Sequence, residues 1–259
     1  MHIAIIASKK DAAGITIKES LIDEGFRDSE AATLHVIEED SIHAEHLDRK
    51  VSADFFLFAT RHSAKAEVKT LCVHPPGNWG EAKAGGKKAT LSYTIPKFQK
   101  FILAELQRHN TLGWEVTSEA THHGPELERP CLFIEIGSTE REWENREAGA
   151  VIAKTAISFI QHANTASSNA CNDDEMTAAV GLGGTHYCQA FNKINAMTHY
   201  AVGHVCPKHQ LHLLTPELLR QAMEKSSAEL VILDWKGLGA EKQRIAGLLE
   251  EQNIPHKRA

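Results

Sequence analysis

The chain lacks most of the signatures by which a sequence declares its chemistry. Its five cysteines (72, 131, 171, 188 and 206) are odd in number, scattered and free of any C-x-x-C pair. That pattern excludes a disulfide scaffold and a structural zinc ribbon, and it suits a reducing cytoplasm. No apolar run is long enough to cross a bilayer. The opening Met1-His2-Ile3-Ala4-Ile5-Ile6 has neither a basic flank nor a small-residue cleavage site. It reads as a first buried strand rather than a signal peptide. A basic excess is absent as well: 28 Lys and Arg stand against 34 Asp and Glu, for a net charge of −6. This balance argues against a general DNA binder while leaving local contact with RNA open. There is no G-x-S-x-G elbow, no Gly-Lys-Ser/Thr phosphate loop and no complete G-x-G-x-x-G fingerprint.

What is present begins with histidine. The 16 histidines outnumber the 9 phenylalanines and 3 tyrosines together. A length of 259 residues suits one large α/β domain or two small ones. We take residues 1–259 as a single domain, the alternative being a boundary near 165–175 within the polar stretch Ala163–Asp174. Apolar patterning predicts strands at His2–Ala7, Thr33–Ile37, Asp54–Ala59, Thr70–Val73, Trp114–Ala120, Cys131–Ile136, Met176–Val180, Tyr200–His204 and Leu230–Leu233. It predicts helices at Ala12–Glu24, Lys97–His109, Asn145–His162, Pro216–Lys225 and Ala240–Glu251, with Asp11 and Thr215 as N-caps. Strands alternating with helices imply a mostly parallel or mixed sheet with helices on both faces.

In such sheets ligands bind beyond the carboxyl ends of the strands, and polar residues collect there. Ser8, Lys9 and Lys10 follow the first strand, Thr60, Arg61 and His62 the third, and His74 the fourth. His122 and His123 follow the fifth, ahead of a Gly-Pro turn. On an extended backbone neighbouring side chains point apart, so one of this pair is expected to face a site. Glu135 interrupts the apolar run Cys131–Ile136. Either it faces water from an edge strand, or it is a general base or metal ligand, because an unpaired buried carboxylate is costly. The most informative stretch is Gly181-Leu182-Gly183-Gly184-Thr185-His186-Tyr187, a glycine turn that delivers a histidine to the end of a strand. His204, Cys206, His209 and His212 resemble ligand spacing only superficially, and a histidine–carboxylate site for a divalent ion has zinc as its default. The loop from Pro75 to Lys88 is long, glycine-rich and locally basic.

Together these motifs resemble the archaeal and plant type of D-aminoacyl-tRNA deacylase. The resemblance rests on Ile3–Gly14, the Thr121-His122-His123-Gly124-Pro125 turn, Phe133–Glu140 leading to Trp143, Gly181–Tyr187, and the Gly203-His204 to Pro207-Lys208 segment. It runs over nearly the whole chain. It implies a three-layer, phosphorylase/hydrolase-like α/β/α sandwich with a mixed central sheet. It also implies hydrolysis of the ester joining a D-amino acid to tRNA, and a dependence on zinc. The residue roles are our own reading. His122 or His186, oriented by Glu135, activates water directly or through zinc. The turn of Gly183, Gly184 and Thr185 stabilises the oxyanion. Lys9, Lys10, Lys87 and Lys88 meet tRNA phosphates, and His62, His123 and His204 are the expected metal ligands. A cytoplasmic monomer is expected. Two other readings compete: a zinc-dependent, aminopeptidase-like hydrolase, which would need no tRNA, and a non-catalytic tRNA-binding module.

Overall fold

The computed structural model describes residues 1–65, 67–165 and 175–259. From residue 166 onward the expected linker, with Cys171, lies outside the described residues. The strands are β1 (Ile3–Ser8), β2 (Ala32–Ile37), β3 (Phe55–Ser63), β4 (Thr70–His74), β5 (Gly77–Asn78), β6 (Thr90–Leu91), β7 (Glu115–Ser118), β8 (Cys131–Ser138), β9 (Thr177–Leu182), β10 (Tyr200–Cys206), β11 (Leu230–Leu233) and β12 (His256–Arg258). The helices are α1 (Ala12–Asp23), α2 (Pro96–His109), α3 (Glu140–Trp143), α4 (Arg146–Thr165), α5 (Gln189–Met197), α6 (Pro216–Lys225) and α7 (Lys242–Glu251).

Six strands form a central sheet in the order β2-β1-β3-β8-β4-β7. Its pairs are parallel except β4 with β8, so the sheet is mixed and mostly parallel. The period-2 alternation of a strand sorts its side chains by parity. Phe55, Leu57 and Ala59 of β3 join Leu132, Ile134 and Ile136 of β8 under helices α1, α2 and α4. The rings of Phe55, Phe98 and Phe159 meet edge-to-face there, 5.0 to 5.4 Å apart. Removing one of them is expected to cost about 3–5 kcal/mol. Phe56 and Phe58 point the other way and pack with Cys131 and Phe133 beneath Ala44, Leu47 and Leu127. Short 3-10 turns at Ser41–His43 and Leu47–Arg49 stand over this second face. The next residues of the same parity are polar: Thr60 and His62 on β3, Glu135 on β8. The face therefore changes from apolar packing to chemistry partway along its strands.

A second sheet, β10-β9-β11-β12, is parallel throughout. Residues of α6 and α7 pack on one side of it, and Phe191 of α5 on the other. The α/β class with helices flanking a mixed central sheet is as expected, but the strands divide between these two sheets and a two-stranded antiparallel ribbon of β5 and β6 instead of forming one. The division falls where β7 ends. The strand expected to run to Ala120 stops at Ser118. There the Ala120 N–H donates to the His186 carbonyl (2.8 Å) and the Thr121 N–H to that of Val205 (3.1 Å). The segment Glu119–Thr121 is thereby held against the second sheet.

The expected caps are present. Asp11 accepts the Gly14 N–H at 2.9 Å, and Thr215 accepts that of Leu218 at 3.3 Å. The second carboxylate oxygen of Asp11 accepts the Arg61 N–H at 3.0 Å, tying the start of α1 to β3. Helix α5 was not anticipated. It is short, carries two asparagines of low helix propensity and has no side-chain cap.

Candidate active site

The polar half of the second face holds a cluster of ionisable side chains. At its centre is Glu119, fully buried just beyond β7. Its carboxylate faces His62 Nδ1 at 2.9 Å, His186 Nε2 at 3.3 Å and His122 Nε2 at 3.8 Å. None of these approaches follows a hydrogen-bond axis, so both oxygens are left without an aligned donor. Burial alone would favour the neutral acid. The facing histidines outweigh it and hold the carboxyl well below the usual carboxylate range. Glu135, buried on β8, accepts a hydrogen bond from Thr60 Oγ1 at 2.8 Å and lies 3.7 Å from both His62 Nδ1 and His74 Nε2. The expected role of Glu135 beside His122 and His186 thus falls geometrically to Glu119, because Glu135 points at the histidines of β3 and β4.

Three imidazoles share one arrangement. The Nδ1 atoms of His74, His122 and His123 lie 3.2, 2.9 and 2.6 Å from the carbonyls of Pro75, Ala120 and Gly124. Only a protonated Nδ1 can donate there, which leaves Nε2 with a free lone pair in the neutral form of each ring. The His122 ring stands 4.3 Å from each of the other two. Burial, then the neighbouring rings, hold His122 well below the ordinary imidazole value and bring His123 to about 4. At His74 burial acts in the same direction but is outweighed by Glu135, and the pKa is raised. Both histidines of the 122–123 pair line the pocket, contrary to the expectation that one would. The reason is local: His123 is left-handed, with φ 45°, which breaks the alternation of an extended chain. The turn is held in place by the Pro75–Lys88 loop: the Gly124 N–H donates to the Ala84 carbonyl at 2.9 Å and the Gly77 N–H to the His123 carbonyl at 2.7 Å.

Ligand atoms from His74, His122 and His123 lie within 4.8 Å of one another, as do those of Glu119, His122 and His186, and of His74, Glu119 and Glu135. The buried Nε2 of His74 lacks a hydrogen-bond partner, like the oxygens of Glu119. Buried polar atoms without partners are costly. A cation coordinated by imidazole nitrogen and carboxylate oxygen would satisfy this donor set. The residues therefore fit a metal ion.

A pocket of 420 Å³ opens over the cluster, lined by Arg61, His62, His122, His123, Glu135 and His186, with Asp11 and Asp40 at one side. Arg61 pairs there with Asp40 at 2.8 Å and Asp11 at 3.3 Å. Not every expected site residue reaches this pocket. His62 does: its Nε2 lies 3.0 Å from the Tyr187 hydroxyl, while its Nδ1, 2.9 Å from Glu119 without an aligned hydrogen bond, stays within reach of a cation shared with Cys72 and Glu119. Its pKa is raised, burial being outweighed by Glu119 and Glu135. His204 is fully buried elsewhere, with Nδ1 3.1 Å from Thr121 Oγ1 and Nε2 3.0 Å from the Ser92 carbonyl. With neither nitrogen free it is no ligand, and burial pulls its pKa down to about 3. The Gly183 N–H donates to the Cys206 carbonyl at 2.9 Å and is not free for an oxyanion, while Gly184 and Thr185 line a neighbouring cleft. Lys9 pairs with Glu38, Lys87 with Glu126 and Lys88 with Glu81, while Lys10 is exposed. Glu119 went unread in the sequence because it lay inside an expected strand. The available signal was a carboxylate at that strand's end, three residues before His122.

Fold and site together define a class: an α/β protein with a buried histidine–carboxylate centre suited to hydrolysis. Residues 49–257 match the model of the D-aminoacyl-tRNA deacylase family. A D-aminoacyl-tRNA deacylase of Thermococcus kodakarensis is 34% identical, with 96% of each chain covered. One of Methanosarcina mazei is also 34% identical, covering 97% of this chain and 90% of its own. A crystal structure of a conserved protein of unknown function superposes with a TM-score of 0.88 at 31% identity, covering 100% of this chain and 95% of that one. The chain belongs to the D-aminoacyl-tRNA deacylase family.

Proposed function

We propose that the chain hydrolyses the ester between a D-amino acid and tRNA in the pocket over Glu119, releasing the free D-amino acid and the tRNA. Membership of the family supports the reaction. The observation that supports the location is the set of three imidazoles, each with Nδ1 on a backbone carbonyl and with ligand atoms within 4.8 Å of one another, beside two buried carboxylates. His74, His122 and His123 would hold a zinc ion, which when bound would supply Lewis-acid polarisation of the ester carbonyl.

The protein's own groups then do the following. Glu119 faces Nε2 of His186, leaving Nδ1 of that half-exposed ring to take a proton from water at the mouth of the pocket. The water oxygen bonds to the carbonyl carbon and the C–O bond to the ribose breaks. The proton held by His186 passes to the departing ribose oxygen. Glu119 fixes the ring, and Glu135 keeps His62 and His74 in place. A pocket of 420 Å³ has the size of a small-molecule site. Lys9, Lys10, Lys87 and Lys88 serve as outlying phosphate contacts, three of them after exchanging a carboxylate for a phosphate.

Because Glu119–Thr121 joins the two sheets at the pocket, we treat residues 1–259 as one deacylase domain, acting as a monomer. Four buried free cysteines suit the cytoplasm; no described helix is long and apolar enough to cross a membrane. The test is deacylation of D-tyrosyl-tRNA against L-tyrosyl-tRNA, with and without a chelator. Release from the D-ester alone, lost with chelator and restored by zinc, is expected. Equal rates on both esters, or none on either, would sink the reading.

A further inference from the structure

Strands β9, β10 and β11 are parallel neighbours, so their carboxyl ends share one edge of the second sheet. Ligands of open parallel sheets bind at that edge. Two clefts lie there. The first, of 390 Å³, is lined by Gly184, Thr185, Lys208 and Lys236, and the second, of 670 Å³, by Lys193, Met197, Trp235, Lys236 and Arg258. They share Lys236 and Asp234, so they adjoin. The first also adjoins the catalytic pocket: Thr185 lines the one and its neighbour His186 the other. The Lys208 N–H donates to the Gly184 carbonyl at 3.0 Å, which holds the lysine beside that junction.

Four basic side chains line this edge. Lys193, Lys208, Lys236 and Arg258 are exposed, and among the described residues no carboxylate pairs with any of them. Asp234 is the one acidic side chain lining either cleft among the described residues, and one of its oxygens accepts the Gly237 N–H at 2.9 Å. They stand together without a facing carboxylate on a protein of net charge −6. An aromatic group is interleaved with them: the Arg258 guanidinium lies 3.6 Å from the centre of the Trp235 ring. Met197 beside it is 72% exposed. Basic side chains that follow a backbone, with a π-surface on which bases stack, are what single-stranded nucleic acid requires.

We propose that these two clefts form a track for the unpaired 3′ end of tRNA, leading its terminal ester past Thr185 into the pocket; this rests on the deacylase reading. Lys208 and Lys236 meet the phosphates nearest the ester, and the Trp235–Arg258 stack receives a base further along. Phosphate and stacking contacts carry little sequence information, which suits an enzyme acting on many tRNAs.

The test measures binding of a fluorescently labelled four-nucleotide single-stranded RNA and of uncharged tRNA, together with turnover of D-tyrosyl-tRNA. The variants are Lys193→Glu/Lys236→Glu, Trp235→Ala and Trp235→Phe. The double charge reversal is expected to weaken both RNAs by about tenfold or more and to flatten the salt dependence by about two charges. Its KM for D-tyrosyl-tRNA rises by a similar factor, with kcat within about twofold of wild type. Trp235→Phe retains binding that Trp235→Ala loses. RNA binding and KM left intact by the charge reversal overturn the track. If instead wild type binds RNA through these residues but leaves the ester intact, the deacylase reading falls and the track stands.

Discussion

Two sheet edges meet at His186, and they are built on opposite electrostatic plans. In the pocket of the first sheet the charges are buried and mutually engaged, and His62, His186 and His122 surround a carboxylate that has lost its water. Along the second sheet the charges are exposed and unpaired, with lysines and an arginine facing open clefts. A buried, preorganised set of donors acts on bond-making without reorganising. Exposed cations act on a distant polyanion and are screened by salt. The difference teaches a division of labour, in which one edge alters the rate of chemistry and the other the grip on substrate.

Breaking the first plan should produce the largest effect. Glu119→Gln removes the charge that fixes His186 and is expected to lower kcat about 100-fold or more. Its thermal melt and single-turnover rate on D-tyrosyl-tRNA should be measured together, since a folded, fully active variant would remove Glu119 from the mechanism. His186→Ala should abolish turnover to a similar degree while the protein stays folded. Normal activity in that variant would leave the proton without its carrier. The track variants described above come next, about tenfold and confined to KM.

A sharper form of the comparison sets free cations against paired ones. Lys88→Glu, whose parent lysine must give up Glu81 before it meets a phosphate at the outer end of the substrate, should raise KM by less than about threefold, since that exchange offsets most of the phosphate contact. A change as large as that of the Lys193→Glu/Lys236→Glu variant would erase the distinction drawn between the two sets of lysines.

The smallest effect on catalysis should come from His204, buried outside both edges. Its pKa is about 3 in the folded chain, against about 6.5 when unfolded. Between these values the unfolded state binds the extra proton, so stability falls as pH drops below the unfolded value. Between pH 7 and pH 5 this residue should account for about 2 kcal/mol of lost stability. His204→Gln should flatten the unfolding free energy against pH by that amount. An unchanged slope would mean that the ring is not held neutral.

The sequence could be read well where the physics is local. Periodicity located nearly every long element, and Asp11 and Thr215 announced their helices, because caps and amphipathic patterns depend on residues a few positions apart. Family motifs carried the resemblance for the same reason. The pairing of His122 with His123 was visible, but the side on which each ring stands was not, since that turned on a left-handed φ at His123. The metal-binding expectation for His204 failed because Thr121 and Ser92, far away in the chain, occupy both of its nitrogens. The helix α5 escaped notice because tertiary packing of Phe191 stabilises it more than its own propensities do.

By itself, then, the sequence determined the α/β class, the family, and a surplus of histidines at strand ends, all properties of composition and short spacing. Only the tertiary structure decided which carboxylate sits among those histidines, that the glycine turn borders the pocket without lending it a free Gly183 N–H, and which cations are left without partners. Each of these depends on contacts between residues tens of positions apart. Burial and charge pairing are properties of the folded surface, which no local stretch of chain contains.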